Sequence, residues 1–208
     1  MNTFQPYRQG GAVLLIALIM LLVLTVLAVS SMRGVTLESR ITGNRASALQ
    51  MQNASDAALR EAEFRYYNPY NLREKLEPDQ ANCTLANKLV EAANKPCLLA
   101  IKETNLNEFF LNPLSLTPDH LEVESEGSLL WMPYRGLDHA QAYPDSDYPV
   151  GEKPEWNTYL IGSPNIEYGA QGEGNGTFYY LANGKSGKEN QEVASQSTFA
   201  NVYVGLNN

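Results

Sequence analysis

Residues 12–29 have the sequence AVLLIALIMLLVLTVLAV, in which Thr25 is the one polar side chain and no residue is charged. At about 1.5 Å per residue, a helix of this length spans roughly 27 Å, close to the ~30 Å hydrocarbon core of a bilayer. No second stretch of the 208-residue chain approaches it in length and apolar character. The pattern therefore excludes a polytopic membrane protein.

The remainder of the chain has the composition of a globular protein, with twelve Tyr, six Phe and two Trp available for a core. This aromatic content argues against an intrinsically disordered chain. A net charge of -8 disfavours a nucleic-acid binder. The charge is also divided, because residues 1–65 carry +2 and residues 66–208 carry -10.

Three interpretations of the apolar segment compete. A transmembrane anchor fits its length. A cleaved secretory signal peptide would take Arg8 as its basic region and Ala28 to Ser30 as its cleavage site, but the apolar run is longer than the usual 7–15 residues. A buried core helix is the poorest fit, since it would place a very apolar element beside an acidic, polar body.

The sequence after the apolar segment favours an anchor. No proline occurs between Pro6 and Pro69, and apolar or small residues recur at helical spacing. They are Leu37, Ile41, Ala48, Met51, Ala54, Ala58 and Ala62. We therefore predict one helix from about residue 12 to 65, on the order of 80 Å long, apolar in its first half and amphipathic in its second. A cleaved signal peptide has no reason to continue as a helix of the mature protein.

Several short sequences around this helix resemble those of type IV prepilins, and specifically the PilX-type minor pilins. The resemblance is carried by residues 8–12 (RQGGA), the apolar stretch, residues 30–38 (SSMRGVTLE), residues 41–45 (ITGNR) and residues 52–63 (QNASDAALREAE). Residues 178–184 and 193–203 are more loosely similar to that family's closing strands. Residues 66–160 show no resemblance.

The resemblance implies a leader of residues 1–11 that the prepilin peptidase removes on the cytoplasmic side, followed by methylation of the new N-terminus. Gly10 and Gly11 leave the scissile bond ambiguous; cleavage after Gly11 is preferred and makes Ala12 the methylated residue. The N-terminus is then cytoplasmic, although a count of arginines on the two sides of the apolar segment indicates the opposite orientation. Residues 66–208 would be periplasmic and later displayed on the pilus.

The fifth residue of the mature chain would be Ile16, where most pilins carry glutamate. In those pilins the carboxylate offsets the terminal ammonium of a neighbouring subunit, inside a core where an unpaired charge is costly. The pilus tip is the position least affected by its absence, because no subunit lies ahead. The substitution therefore suggests a tip or priming role.

The sequence after Tyr66 predicts a separate head. Residues 66–71 (YYNPYN) should end the helix. Short helices are predicted at 81–93 and 104–111, strands at 121–125, 128–134, 158–162, 177–182 and 192–204, and a last hairpin turn from Asn183-Gly184 to Asn190. The fold class is then α+β and pilin-like, with the long N-terminal helix packed on a C-terminal antiparallel sheet.

Cys83 and Cys97 are the only cysteines and would close a short loop. Outside the inner membrane the compartment is oxidising, so we predict a disulfide, with two free thiols as the alternative. The neighbourhood has no metal-ligand spacing, and no cofactor is expected.

The search for catalytic residues is negative. His120 and His139 form no metal or nucleophile motif, and the glycine-rich residues 169–176 lack the lysine of a P-loop. Four carboxylates could gather around calcium but lack the spacing of an EF-hand, so a solvated acidic loop is favoured; they are Asp138, Asp145, Asp147 and Glu152. Glu122, Glu124 and Glu126 are assigned to the solvent face of a strand. The protein is not expected to be an enzyme.

The segment between Trp131 and Trp156 is rich in aromatic residues and prolines. One interpretation is a lid that closes the open end of the sheet. The other is a contact surface for a neighbouring minor pilin or a tip adhesin, since exposed aromatics are enriched at interfaces. That surface would comprise Trp131, Tyr134, Tyr143, Tyr148 and Trp156.

These observations predict a minor pilin that lies in the inner membrane and then joins a type IV pilus, where it helps to initiate assembly and presents an adhesin. Its partners would be other minor pilins and the major pilin through the N-terminal helix, the prepilin peptidase, the inner membrane and a tip adhesin. A position in the pilus would imply a role in cell adhesion and twitching motility. The alternatives are a minor pseudopilin of a type II secretion system, or a periplasmic binding protein or enzyme with a signal peptide or simple anchor.

Overall fold

The computed structural model describes residues 10–67, 69–87, 94–123, 125, 127–135, 153–162, 175–188 and 190–204. The chain divides into two units, Met1–Ala48 and Leu49–Asn208. The boundary falls inside the first helix, which therefore contributes residues to both units.

Helix α1 runs from Gly10 to Tyr67, which confirms the predicted helix over 12–65. Its length follows from the good helix formers in the sequence and from the absence of proline between Pro6 and Pro69. Asn71 then adopts a left-handed conformation, with φ 61°, which an asparagine side chain tolerates. The predicted breaker cluster therefore turns the chain away from the helix axis.

Five strands form one mixed sheet in the second unit. They are β1 (Leu98–Leu99), β2 (Met132–Pro133), β3 (Glu155–Gly162), β4 (Asn175–Lys188) and β5 (Gln191–Val204). The order is β1-β3-β4-β5, and β2 pairs with β3. The β2–β3, β3–β4 and β4–β5 pairs are antiparallel, as predicted, whereas β1 runs parallel to β3.

Short helices connect these strands. They are α2 (Leu72–Leu76), α3 (Leu106–Leu111) and single 3-10 turns at Gln80–Asn82, Glu103–Asn105, Pro113–Ser115 and Pro118–His120. The predicted helix at 104–111 is thus found as a 3-10 turn followed by α3. Of the helix predicted at 81–93, residues 88–93 lie outside the described residues, and the part before them forms only the Gln80–Asn82 turn and a following turn.

Two layers cover the faces of the sheet. The C-terminal part of α1 buries Met51, Ala58 and Ala62, as the predicted stripe of small and apolar residues requires. On the opposite face, the rings of Phe109 in α3 and Tyr159 in β3 lie 6.2 Å apart. The α+β architecture, with the helix packed on the sheet, is therefore confirmed.

Two of the predicted strands and the predicted hairpin turn differ from the structure. Leu121 makes only an isolated bridge to Ile101, and the strand predicted at 128–134 shortens to β2. The Asn183-Gly184 pair is not a turn, because β4 continues to Lys188 and pairs in register with β5 as far as Gln191. The local turn preference of Asn-Gly is overridden by burial, since both residues pack inside the second unit.

Candidate functional site: the N-terminal helix and its seat on the sheet

The first unit consists of an apolar helical surface. From Val13 to Val29 the large hydrophobic side chains are between 50% and 70% exposed. The hydroxyl of Thr25 donates to Leu22 O at 2.8 Å. Because this polar group is satisfied within the helix, the segment can enter an apolar environment at little cost.

One helix among the described residues is long and apolar enough to cross a membrane, and it is α1. The polar side chains beyond the apolar run are likewise satisfied locally, as Ser31 donates to Leu27 O at 2.9 Å. Ile16 lies on this surface with 57% exposure. An isoleucine here is compatible with lipid, but it supplies no acceptor for a charged neighbour.

Gly11 has no atom within 4 Å of the place where a Cβ would lie, and α1 already begins at Gly10. Ala12 is exposed. Residues 1–9 lie outside the described residues, so the Gly10-Gly11-Ala12 site of cleavage and methylation stays a prediction.

In the second unit, α1 is held to the sheet by four polar side chains that we call the polar seam: Ser55, Glu61, Arg65 and Tyr66. The first contact is made by Ser55. The hydroxyl of Ser55 donates to Gly184 O at 2.8 Å and accepts from Ser195 N at 2.9 Å. Since Gly184 and Ser195 are paired residues of β4 and β5, this hydroxyl is inserted between the two strands.

Gly184 permits this approach because it has no side chain. A Cβ at this position would lie 2.1 Å from Ser55 O and 2.8 Å from Leu59 N. Both are backbone atoms of α1 and cannot rotate away. The glycine is therefore required by the contact of the helix with β4 rather than by a turn.

The second part of the seam is a buried ion pair. Arg65 Nη2 donates to Glu61 Oε1 at 2.8 Å, and the two side chains are 0% and 3% exposed. Glu61 Oε1 also accepts from Trp156 Nε1 at 3.3 Å, and Oε2 accepts from Arg135 N at 2.6 Å. Desolvation lowers the pKa of Arg65, and the charge of Glu61 opposes this shift.

Arg65 connects the helix to the loop closed by the disulfide. Its Nη1 donates to Asn87 Oδ1 at 2.7 Å and to Lys95 O at 3.2 Å. Its guanidinium also lies over the Trp156 ring, 4.7 Å from the centroid. These hydrogen bonds and the ring face offset part of the desolvation of the buried charge, although Arg65 Nε has no hydrogen-bond partner among the described residues.

Cys83 and Cys97 form a disulfide with a Cα–Cα distance of 4.7 Å, as predicted. Cys97 O accepts from Thr158 Oγ1 at 2.7 Å, and that hydroxyl lies 2.7 Å from the Tyr66 hydroxyl. Burial raises the pKa of Tyr66. The disulfide loop, β3 and the end of α1 are thus joined by one chain of hydrogen bonds.

The proposed aromatic contact surface is only partly described. Trp156 is fully buried and Trp131 is 9% exposed, and Trp156 is occupied by the polar seam. Tyr134 is half-buried, while Tyr143 and Tyr148 lie outside the described residues. Both tryptophans therefore belong to the core, where Trp156 packs against Arg65 of α1 and Trp131 lies under Lys185 Nζ of β4, 4.7 Å from the ring centroid.

Two of the remaining candidate residues, His120 and Glu122, lie in the described part of the chain. His120 Nδ1 lies 3.2 Å from Thr117 N, where it caps a 3-10 turn, and its ring packs on Phe109. Glu122 is exposed and not part of a strand. Among the described residues, no group of three or more His, Cys, Asp or Glu could hold a metal ion. His139, the four carboxylates considered for calcium, Glu124, Glu126 and residues 169–174 lie outside them.

The polar seam was missed by sequence reasoning. Glu61 and Arg65 are four residues apart on a helix, a spacing that predicts an ordinary surface ion pair. The tryptophan that buries them lies about ninety residues further along the chain, so no local pattern could have indicated their burial.

Comparison with known families addresses the first unit and the start of the second. Residues 9–60 match the family model described as PilX N-terminal. The chain matches no curated protein and no solved structure. The match includes the apolar surface, Ser55 and Ala58 of α1, and it ends just before Glu61.

Proposed function

We propose that this chain is a minor pilin that assembles at the tip of a type IV pilus, a proposal supported by the match of residues 9–60 to the family model described as PilX N-terminal. The observation that carries this proposal is helix α1. Its first part exposes an apolar surface without charge, and its second part is fixed to a folded head. This arrangement suits a subunit that is held first by lipid and later by other helices.

The apolar surface can serve in both places because lipid tails and apolar helices are similar solvents for it. The protein would lie in the inner membrane with its head in the periplasm and then pass to the cell surface with the pilus. Its partners are other minor pilins and the major pilin, which contact the exposed side chains between Val13 and Val29.

We further propose that the prepilin peptidase cleaves after Gly11 and that Ala12 is then methylated. The support is the pair of glycines directly before the apolar run. Mass spectrometry of the mature N-terminus tests this. A methylated chain beginning at Ala12 or Gly11 supports a pilin, whereas a chain beginning at Ser31 indicates a cleaved signal peptide and overturns the proposal.

The proposed tip position rests on Ile16. A subunit without a carboxylate here cannot pair with the ammonium of a subunit ahead of it, and at the tip there is no such subunit. Ile16→Glu should impair pilus initiation and allow the subunit to enter the shaft, with Ile16→Leu as the matched control. Unchanged piliation and unchanged tip location by immunogold labelling would refute the argument. From the tip, the head would present an adhesin and contribute to adhesion and twitching motility.

A further inference from the structure

Strand β5 is the last strand of the sheet in the order β1-β3-β4-β5. It pairs with β4 along its whole length, from Gln191 to Val204. No other strand among the described residues pairs with its outer edge. A strand of this length at the edge of a sheet leaves a row of backbone groups available to another chain.

The edge lacks the features that normally prevent such pairing. Residues 193–204 have the sequence VASQSTFANVYV, which contains no charge, no proline and no glycine. The register with β4 is continuous, without a bulge. Natural edge strands are usually interrupted by lysine, proline or a bulge, and an uninterrupted uncharged edge is a template for strand addition.

The backbone geometry shows which groups point outward. Ser195 N is directed toward β4, where it meets the hydroxyl of Ser55. Because N–H directions alternate along an antiparallel strand, the N–H groups of residues 196, 198, 200 and 202 point toward the open edge. Proline or lysine at these positions can therefore block the edge without removing a hydrogen bond to β4.

Three large apolar side chains of the sheet near this edge are exposed. Val202 is 69% exposed, Tyr179 is 41% exposed and Ile161 is 40% exposed. Tyr179 pairs directly with Ala200 of β5, and Val202 lies two residues further along the same face of that strand, so Tyr179 and Val202 form a small apolar patch that reaches the edge. An added strand would extend this patch with its own alternate side chains.

We propose that the outer edge of β5 binds an extended, uncharged or basic segment of a partner protein, which adds a sixth strand to the sheet. The charge of the head selects a partner over a second copy. Residues 66–208 carry -10, so two heads repel one another, whereas a neutral or basic strand is not repelled. The inference concerns the head alone and goes beyond the proposed role in the pilus.

The test uses the full-length protein in detergent micelles and a synthetic peptide of three Thr-Val repeats with a lysine at each end. Hydrogen exchange is measured at residues 198, 200 and 202. In the protein alone these amides should exchange rapidly, and saturating peptide should slow them about tenfold or more. Val202→Lys should weaken peptide binding about tenfold, whereas Gln52→Lys, which adds the same charge on the exposed face of α1, should not.

Ala200→Pro provides a second variant with no added charge, and tryptophan fluorescence shows whether each variant is folded. Three outcomes would overturn the proposal. In the first, the amides are already protected in the protein alone, which would show that another segment of this chain covers the edge. In the second, the peptide binds equally to the edge variants and the control, or binds to none of them. In the third, sedimentation shows a dimer that Val202→Lys dissociates, which would identify a second copy as the occupant. None of these results depends on N-terminal cleavage or pilus assembly, so they are independent of the proposed function.

Discussion

Replacement of Gly184 by alanine should push the backbone of α1 away from the sheet. The new Cβ would lie 2.1 Å from Ser55 O and 2.8 Å from Leu59 N, so the helix backbone must move. Overpacking of this kind costs typically about 1–3 kcal/mol. Movement of the helix also breaks the two hydrogen bonds of the Ser55 hydroxyl, at about 1 kcal/mol each. We expect Gly184→Ala to lower the free energy of unfolding by about 3 kcal/mol or more.

Gly187→Ala is the matched control, in the same strand but on its other face. A Cβ there meets Glu192 Cγ at 3.1 Å, and this side chain can rotate away. Its expected cost is below about 1 kcal/mol, because alanine also reduces the entropy of the unfolded chain.

Denaturant unfolding of the full chain in micelles, followed by tryptophan fluorescence, measures both variants. The assay reports on the second unit because both tryptophans of the chain, Trp131 and Trp156, lie there. Equal losses for Gly184→Ala and Gly187→Ala would refute the close contact. A double variant with Ser55→Ala adds a further check, since costs that act through one shared contact should not add.

The same assay checks three further predictions. Replacing Cys83 and Cys97 by serine should cost about 3 kcal/mol in the loop-entropy model, and a loss below about 1 kcal/mol would contradict a stabilising role for the disulfide. Glu61→Gln leaves a buried cation without its anion and should lower the free energy of unfolding by about 3–5 kcal/mol. The control Arg73→Gln removes an exposed pair with the same spacing and should lower it by less than about 0.5 kcal/mol. Similar losses for the two variants would show that the first pair is not buried. Burial raises the pKa of Tyr66, so its contribution to the free energy of unfolding is complete below about pH 10 and decreases above that pH by about 1.4 kcal/mol per pH unit. Tyr66→Phe should therefore reduce the slope of the free energy of unfolding against pH by one proton. An unchanged slope would contradict the burial of Tyr66.

The sequence was sufficient to predict the elements whose cause is local. The apolar run and the absence of proline determine α1, and the redox compartment predicts the disulfide between Cys83 and Cys97. Strand β5 follows from its β-branched and aromatic residues. The short strand β1 was not predicted, because two leucines have no periodicity and their parallel pairing with β3 depends on where the disulfide loop is held.

The errors arose where distant residues change the meaning of a local pattern. Asn183-Gly184 has the preference of a hairpin turn, but the approach of Ser55 makes the glycine a point of contact inside a long strand. Trp156 resembles an exposed aromatic in a proline-rich segment, yet it donates to Glu61 and lies under Arg65. In both cases the partner is on α1, more than ninety residues away.

The polar seam restricts where α1 can lie on the sheet. Alanines such as Ala58 and Ala62 allow close packing but are nearly interchangeable, so they alone would permit the helix to shift by a turn along the sheet. A hydroxyl inserted between paired strands and a carboxylate that accepts from both Trp156 and Arg135 fit only one position of the helix. We infer that the seam fixes the register of α1 on the head at the cost of burying a charge pair. Replacing Glu61 and Arg65 together by apolar residues of similar size should therefore preserve stability better than Glu61→Gln alone, yet broaden the amide resonances of α1 that report on its register. Sharp, unshifted resonances in the double variant would show that packing alone sets the register.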